Sequence, residues 1–220
     1  MKKLRPRIVL TLVLFLIFIT SIYLLLPKKT NGQKLEFVFF LSSLSRNENT
    51  QVVEFITKHF GNEIKFTPVY LFSKTNSLEF SNGQYYTATN GRSEANQNIR
   101  ELCAFDLAKN LSQWWQFITD FSANCQPGHG NPDTCWVDSA SKSGFNPNTI
   151  TDCFNQQAQS LIESQLAITS KLDDPQPNTA LLNNQIVITN FQLDNLKLVI
   201  CQSFAITPKV CHQSLDTYDY

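Results

Sequence analysis

The apolar positions change their period several times along the chain, and each change marks a different kind of element. Ile8 to Leu26 is 19 residues without a charge. That is close to the ~20 a helix needs to cross a bilayer, and no polar face interrupts the run as it would in a core helix. Leu35-Glu36-Phe37-Val38-Phe39-Phe40-Leu41 is nearly all apolar, which predicts a central strand covered on both faces. Ser42 and Ser43 break it. Ser45-x-x-Glu48 has the spacing of a capping box, and Val52, Val53, Ile56 and Phe60 then recur at helical spacing. Gly61 fits just past that helix, where a positive φ is wanted. Glu63 to Phe72 reads as a second strand, whose Pro68 requires an edge position or a bulge. A crossover of about twenty residues makes the two strands parallel and the connection right-handed.

Ser73 to Gly91 is polar, with turns at Asn82-Gly83 and Asn90-Gly91 and a short extended piece at Tyr85-Tyr86-Thr87. The period then becomes helical. Ser93 to Phe105 predicts a helix with Ile99, Leu102 and Cys103 inward, and Leu111 to Ala123 a second. Gln126 to Pro132 is a loop, Asp133 to Ser141 one or two helical turns, and Thr149 to Leu172 helical in whole or in two pieces. Residues 93–172 thus form a helical block between β-rich ends, broken by Asp173 to Pro177. Thr179 to Thr189 reads as a hairpin turning at Asn183-Asn184, where Asn tolerates positive φ. Asp194 to Phe204 closes the chain as a helix, and the tail is loose after Cys211. Trp114 and Trp115 are adjacent and cannot share a helix face. One is expected in the core, the other half-buried or at an interface.

Charge gives the apolar run at 8–26 its meaning. Lys2, Lys3, Arg5 and Arg7 precede it, while Lys28, Lys29 and Lys34 come after it; the bias favours a cytoplasmic N-terminus. Tyr23 to Pro27 offers no small-x-small cleavage site, so an uncleaved anchor is preferred to a signal peptide. The expected organisation is a basic segment at 1–7, a transmembrane signal anchor at 8–26, a linker at 27–34, one extracytoplasmic domain at 35–211 and a tail at 212–220. The net charge of zero hides an asymmetry: beyond residue 29, 12 basic residues face 18 acidic ones. That disfavours nucleic acid, which needs clustered Lys and Arg.

All six cysteines (Cys103, Cys125, Cys135, Cys153, Cys201 and Cys211) lie beyond the anchor. An even set there points to disulfides and an oxidising compartment. Cys125 and Cys135 flank a loop that can close on itself, Cys201 and Cys211 span the final helix and tail, and Cys103 with Cys153 would join two helices. Pairing Cys135 with Cys153 is the rival. A zinc site from Cys125, His129 and Cys135 lacks a fourth ligand, so no metal or other cofactor is expected. His59 is read as a solvent-side residue. Asn110-Leu111-Ser112 is a glycosylation sequon, meaningful only in a eukaryotic secretory pathway. No Gly-x-Ser-x-Gly or phosphate loop appears.

Several motifs carry a family resemblance. The stretch from Asn90-Gly91 through Glu94 to Ile99-Arg100-Glu101-Leu102-Cys103 resembles the "HG-x-x-E-x-x-x-x-I/L-R-Q-L-C" run of the thioredoxin-like domains of plant vacuolar sorting receptors and similar membrane-anchored microbial proteins. Trp114 to Phe121 resembles their "WW-D-Y-V-T-D-F", and the other five cysteines and Asn183-Asn184-Gln185 follow the family's order. The resemblance implies an α/β thioredoxin-like fold over about residues 35–211: β-α-β, helical insertion, β-hairpin, α. In redox-active relatives the turn after the first strand holds Cys-x-x-Cys. Here it is Leu44-Ser45-Arg46-Asn47, with Leu44 and Asn47 at the two cysteine positions. The cis-proline position of such folds is taken by Asn178, before Thr179. A non-proline cis bond costs about 2.5–4 kcal/mol, so a trans Asn178 and a remodelled loop are expected.

Thiol–disulfide exchange needs a thiolate and a resolving thiol, and this turn has neither. The leading expectation is a membrane-anchored, redox-inactive module with no catalytic residue. It would bind a protein or peptide around Leu44, Ser45, Arg46, Asn47, Asn178 and Thr179, with Arg46 as a positive contact. The alternative is a thiol–disulfide enzyme using Cys125 and Cys135. Cys125 to Gly130 loosely resembles the Cys-Gln-His-Gly signature of gamma-interferon-inducible lysosomal thiol reductases, with His129 displaced. A third reading is a subunit of a membrane complex with no ligand of its own.

Overall fold

The computed structural model describes residues 34–44, 50–61, 63–79, 85–125, 130–189, 191–204 and 206–213. The expected anchor, the capping box at Ser45 and the end of the tail lie outside these residues. Among the described residues no helix is long and apolar enough to cross a membrane.

Strand β1 (Leu35–Leu41), helix α1 (Thr50–Phe60) and strand β2 (Ile64–Tyr70) form the expected β-α-β unit. β1 and β2 are parallel, from Leu35 opposite Ile64 to Leu41 opposite Tyr70. Pro68 sits opposite Phe39 on β2, an edge strand that tolerates its missing N–H. The chain leaves β2 into a hairpin of β3 (Ser73–Glu79) and β4 (Tyr85–Thr87). Far along the sequence, β5 (Ala180–Leu182) and β6 (Ile186–Ile188) complete a four-stranded sheet of order β2-β1-β5-β6. Their connection is the three residues Asn183-Asn184-Gln185, with Asn183 and Asn184 at φ 50 and 57, a left-handed backbone that Asn tolerates. Both side chains also reach β1: Asn183 Oδ1 accepts from Glu36 N and Asn184 Nδ2 donates to Glu36 Oε2, each at 3.1 Å.

Between the two halves of the sheet lie α2 (Arg92–Leu107), α3 (Leu111–Asn124), α4 (Pro132–Lys142) and α5 (Pro147–Thr169). After β6 comes α6 (Leu193–Ser203), then a 3-10 turn at Lys209–His212. Phe37, Phe39 and Leu41 share one core with Val52, Val53 and Ile56 of α1 and Leu196 and Ile200 of α6. Alternate residues Val38 and Phe40 point to the other face, covered by Ile168 at the end of α5 and Leu172 in the bend after that helix. This two-sided cover is why β1 is apolar almost throughout.

Cys103–Cys153 ties α2 to α5, Cys125–Cys135 ties the end of α3 to α4, and Cys201–Cys211 ties α6 to the 3-10 turn. The rival pairing of Cys135 with Cys153 does not form, and all six cysteines are paired. Arg100 links the insert differently. Its guanidinium lies 5.0 Å from the Trp136 ring and 5.7 Å from Phe154, with Asp133 at 3.6 Å.

Four readings of the sequence need correction. The polar stretch after Phe72 contains the β3–β4 hairpin. α4 is a full 11-residue helix, while α5, expected whole or in two pieces, is one helix of 23 residues. Each begins at an Asn-Pro pair whose Asn side chain accepts from a backbone N–H and whose Pro fills the first helical position. Trp115 is buried rather than half-buried: it is 8% exposed, 6.1 Å from the fully buried Trp114. Gly61 is not at positive φ; a Cβ there would lie 2.8 Å from the Thr57 carbonyl oxygen, so space is what selects it.

Candidate functional site

The end of β1 is the natural place to look, because the chain there leaves the sheet beside both the 170–179 connection and the start of α2. Ser42 and Ser43 are buried and Leu44 half-buried. Ser42 Oγ donates to Glu94 Oε1. Ser43 N donates to Asn98 Oδ1 at 3.2 Å and Ser43 Oγ to the Glu94 carbonyl at 3.4 Å. The second Glu94 oxygen accepts from Asn90 N at 2.6 Å, reaching back over the start of its own helix. That is the half of a capping box in which a glutamate in the first turn satisfies a donor just before the helix. Gly91 at φ 84 supplies the bend.

Two turns beyond Glu94 along α2, Glu101 Oε2 accepts from the Tyr70 hydroxyl at 2.5 Å and Glu101 Oε1 from Gln97 Nε2 at 2.9 Å. Gln165 of α5 accepts from Tyr70 N at 3.0 Å. Glu94, Gln97, Asn98 and Glu101 therefore form a polar helix face that is buried, at most 1% exposed. It closes the C-terminal ends of β1 and β2. A buried polar network of this kind fixes the backbone it serves, since each lost partner leaves a desolvated group behind.

Asn178 completes the place. It has φ 62, and no described peptide bond is cis. Asn178 N donates to the Phe40 carbonyl at 3.0 Å, and Phe40 N to the Thr179 carbonyl at 2.8 Å. The structure thus sets Asn178 and Thr179 beside the last residues of β1. Ser45, Arg46 and Asn47 lie outside the described residues, so of the expected turn only Leu44 is located. The six cysteines sit in the insert and in the C-terminal helix pair. His59, on α1, is half-buried with its ring 5.1 Å from Phe55. Partial burial, with Lys58 and Lys197 nearby, holds its pKa below the ordinary value.

The βα-β-insert-ββα order, with a strand end and a hairpin-leading loop meeting at one site, defines a thioredoxin-like domain. The chain belongs to the family of the vacuolar sorting receptor thioredoxin-like domain, whose model matches residues 78–194, more than half its length. The matched region holds the end of the β3–β4 hairpin, the helical insert and β5–β6, and begins after the Leu44 turn. Solved structures agree on the fold. Oxidised BdbD from Bacillus subtilis aligns at 16% identity over 80% of this chain and 90% of that one, with a TM-score of 0.52. The thiol-disulfide exchange protein alpha-DsbA2 from Wolbachia pipientis aligns at 10% identity over 79% and 84%, with a TM-score of 0.54. No curated protein matches the sequence.

Sequence reasoning singled out Leu44, Asn178, Thr179 and the cysteines as candidates, and of these Asn178 and Thr179 lie beside the end of β1. It missed Ser42, Ser43, Asn98, Glu101, Tyr70 and Gln165 as parts of one network. Glu94 was visible only as a position of the family motif.

Proposed function

We propose that this chain is a membrane-tethered thioredoxin-like module on the extracytoplasmic side, which binds an extended segment of a partner protein at Leu44 and Asn178–Thr179 without thiol exchange there. One observation carries the reading. The strand end and the hairpin-leading loop that flank the reactive pair in redox relatives are held side by side through Phe40, on a rigid polar support, at a turn whose sequence has no cysteine. Three disulfides support an oxidising compartment, and the uncharged run at 8–26 after a basic N-terminus supports the tether.

The alternative exchange reading uses Cys125–Cys135, whose Cys135 half is partly exposed in the first turn of α4. Binding of cysteine-free extended peptides by the full chain in detergent separates the two. Leu44→Asp is expected to weaken binding at least tenfold, while the double change Cys125→Ser and Cys135→Ser preserves it. The reverse pattern overturns the proposal.

A further inference from the structure

A cleft of about 560 Å³ opens between the end of α5 and β4, lined by Tyr86, Glu163, Leu166, Ala167, Ser170 and Pro175. Its size falls in the range of pockets that hold a side chain or small ligand. It lies close to the proposed peptide site. Pro175 is three residues from Asn178, and three residues span at most about 10 Å.

The charge around the cleft has one dominant sign. Glu163 is exposed on its wall, with one carboxyl oxygen accepting from Gln159 Nε2 at 2.9 Å. Asp173 and Asp174 are exposed on the connection between the lining residues Ser170 and Pro175. Leu166, Ala167 and Ser170 bring the C-terminal end of a 23-residue helix to the same wall, and a helix C-terminus favours cations. Lys171 is the only base on the 170–178 connection. The apolar wall of Leu166, Ala167 and Pro175 suits the methylene stem of a long basic side chain whose head reaches a carboxylate.

We infer that this cleft receives an arginine or lysine side chain of the extended segment bound at Asn178–Thr179, so that the module selects segments carrying a basic residue. The inference rests on the proposed peptide site, but the cleft can be tested separately.

Hydrogen–deuterium exchange of the full chain in detergent, with nine-residue cysteine-free peptides differing only in a central Arg, norleucine or Glu, reads both places at once. The expected result is protection at 163–175 and at 178–182 with the Arg peptide, and affinity at least fivefold above the norleucine peptide. Glu163→Gln with Asp173→Asn should bring the Arg and norleucine peptides within twofold of each other and flatten the salt dependence. Protection at 178–182 alone, independent of charge, overturns the cleft and leaves the peptide site standing. Protection at 163–175 alone supports the cleft and overturns the peptide site. No protection at either place overturns both.

Discussion

Glu94 serves two elements at once: it satisfies a backbone donor ahead of α2 and receives the Ser42 hydroxyl at the end of β1. Glu94→Ala strands both donors. A buried donor left without a partner costs roughly 1–3 kcal/mol, so the urea midpoint should fall markedly, and less for Glu94→Gln, which keeps one acceptor. At Asn178 the backbone is left-handed, a conformation that costs an ordinary residue roughly 1–2 kcal/mol. Asn178→Ala should destabilise by about that amount, and Asn178→Gly should be close to neutral. His59 sets a pH dependence. Its folded pKa lies below the ordinary value of 6.5, so the folded state binds fewer protons than the unfolded one. The stability it contributes is present above that value and lost as pH falls below it. His59→Gln should flatten the fall of the denaturation midpoint between about pH 7 and pH 5; an unchanged slope would assign the acid sensitivity elsewhere.

The elements differ in how much the covalent ties matter. Cys103–Cys153 closes 50 residues, whereas Cys125–Cys135 and Cys201–Cys211 each close 10. Loop-closure entropy gives about 4 kcal/mol for the first and about 3 for each of the others. Pairwise replacement by Ser, followed by thermal denaturation, should show the largest loss for Cys103–Cys153. β1 and the β5–β6 hairpin were legible in the sequence, because burial on both faces writes a continuous apolar run and a turn with left-handed backbone writes Asn-Asn. The starts of α4 and α5 were also written there, in Asn131-Pro132 and Asn146-Pro147, but an apolar period does not report caps. β3 could not be read from Ser-Lys-Thr-Asn-Ser-Leu-Glu, which shows no alternation; its pairing with β4 places it. The buried face of α2 is hidden for a related reason. Glu94, Gln97, Asn98 and Glu101 have the spacing of a solvent-facing stripe, and only the tertiary fold shows that Ser42, Ser43 and Tyr70 meet them.

In the whole molecule, two halves of a sheet separated by a disulfide-linked helical insert present one end, where β1, α2, α5 and the loop before β5 converge. Under the proposed function that end is the recognition surface, where Leu44 offers packing surface and the turn sequence holds no nucleophilic cysteine. The most direct test of that claim is a thiol-trapping titration of the folded full chain across glutathione potentials of roughly −300 to −150 mV, paired with an assay of disulfide exchange on an unfolded substrate. The account predicts that Cys103–Cys153, Cys125–Cys135 and Cys201–Cys211 all stay formed in the folded chain and that no exchange is catalysed. A Cys125–Cys135 pair that titrates within that range, with turnover of the substrate disulfide, would contradict it.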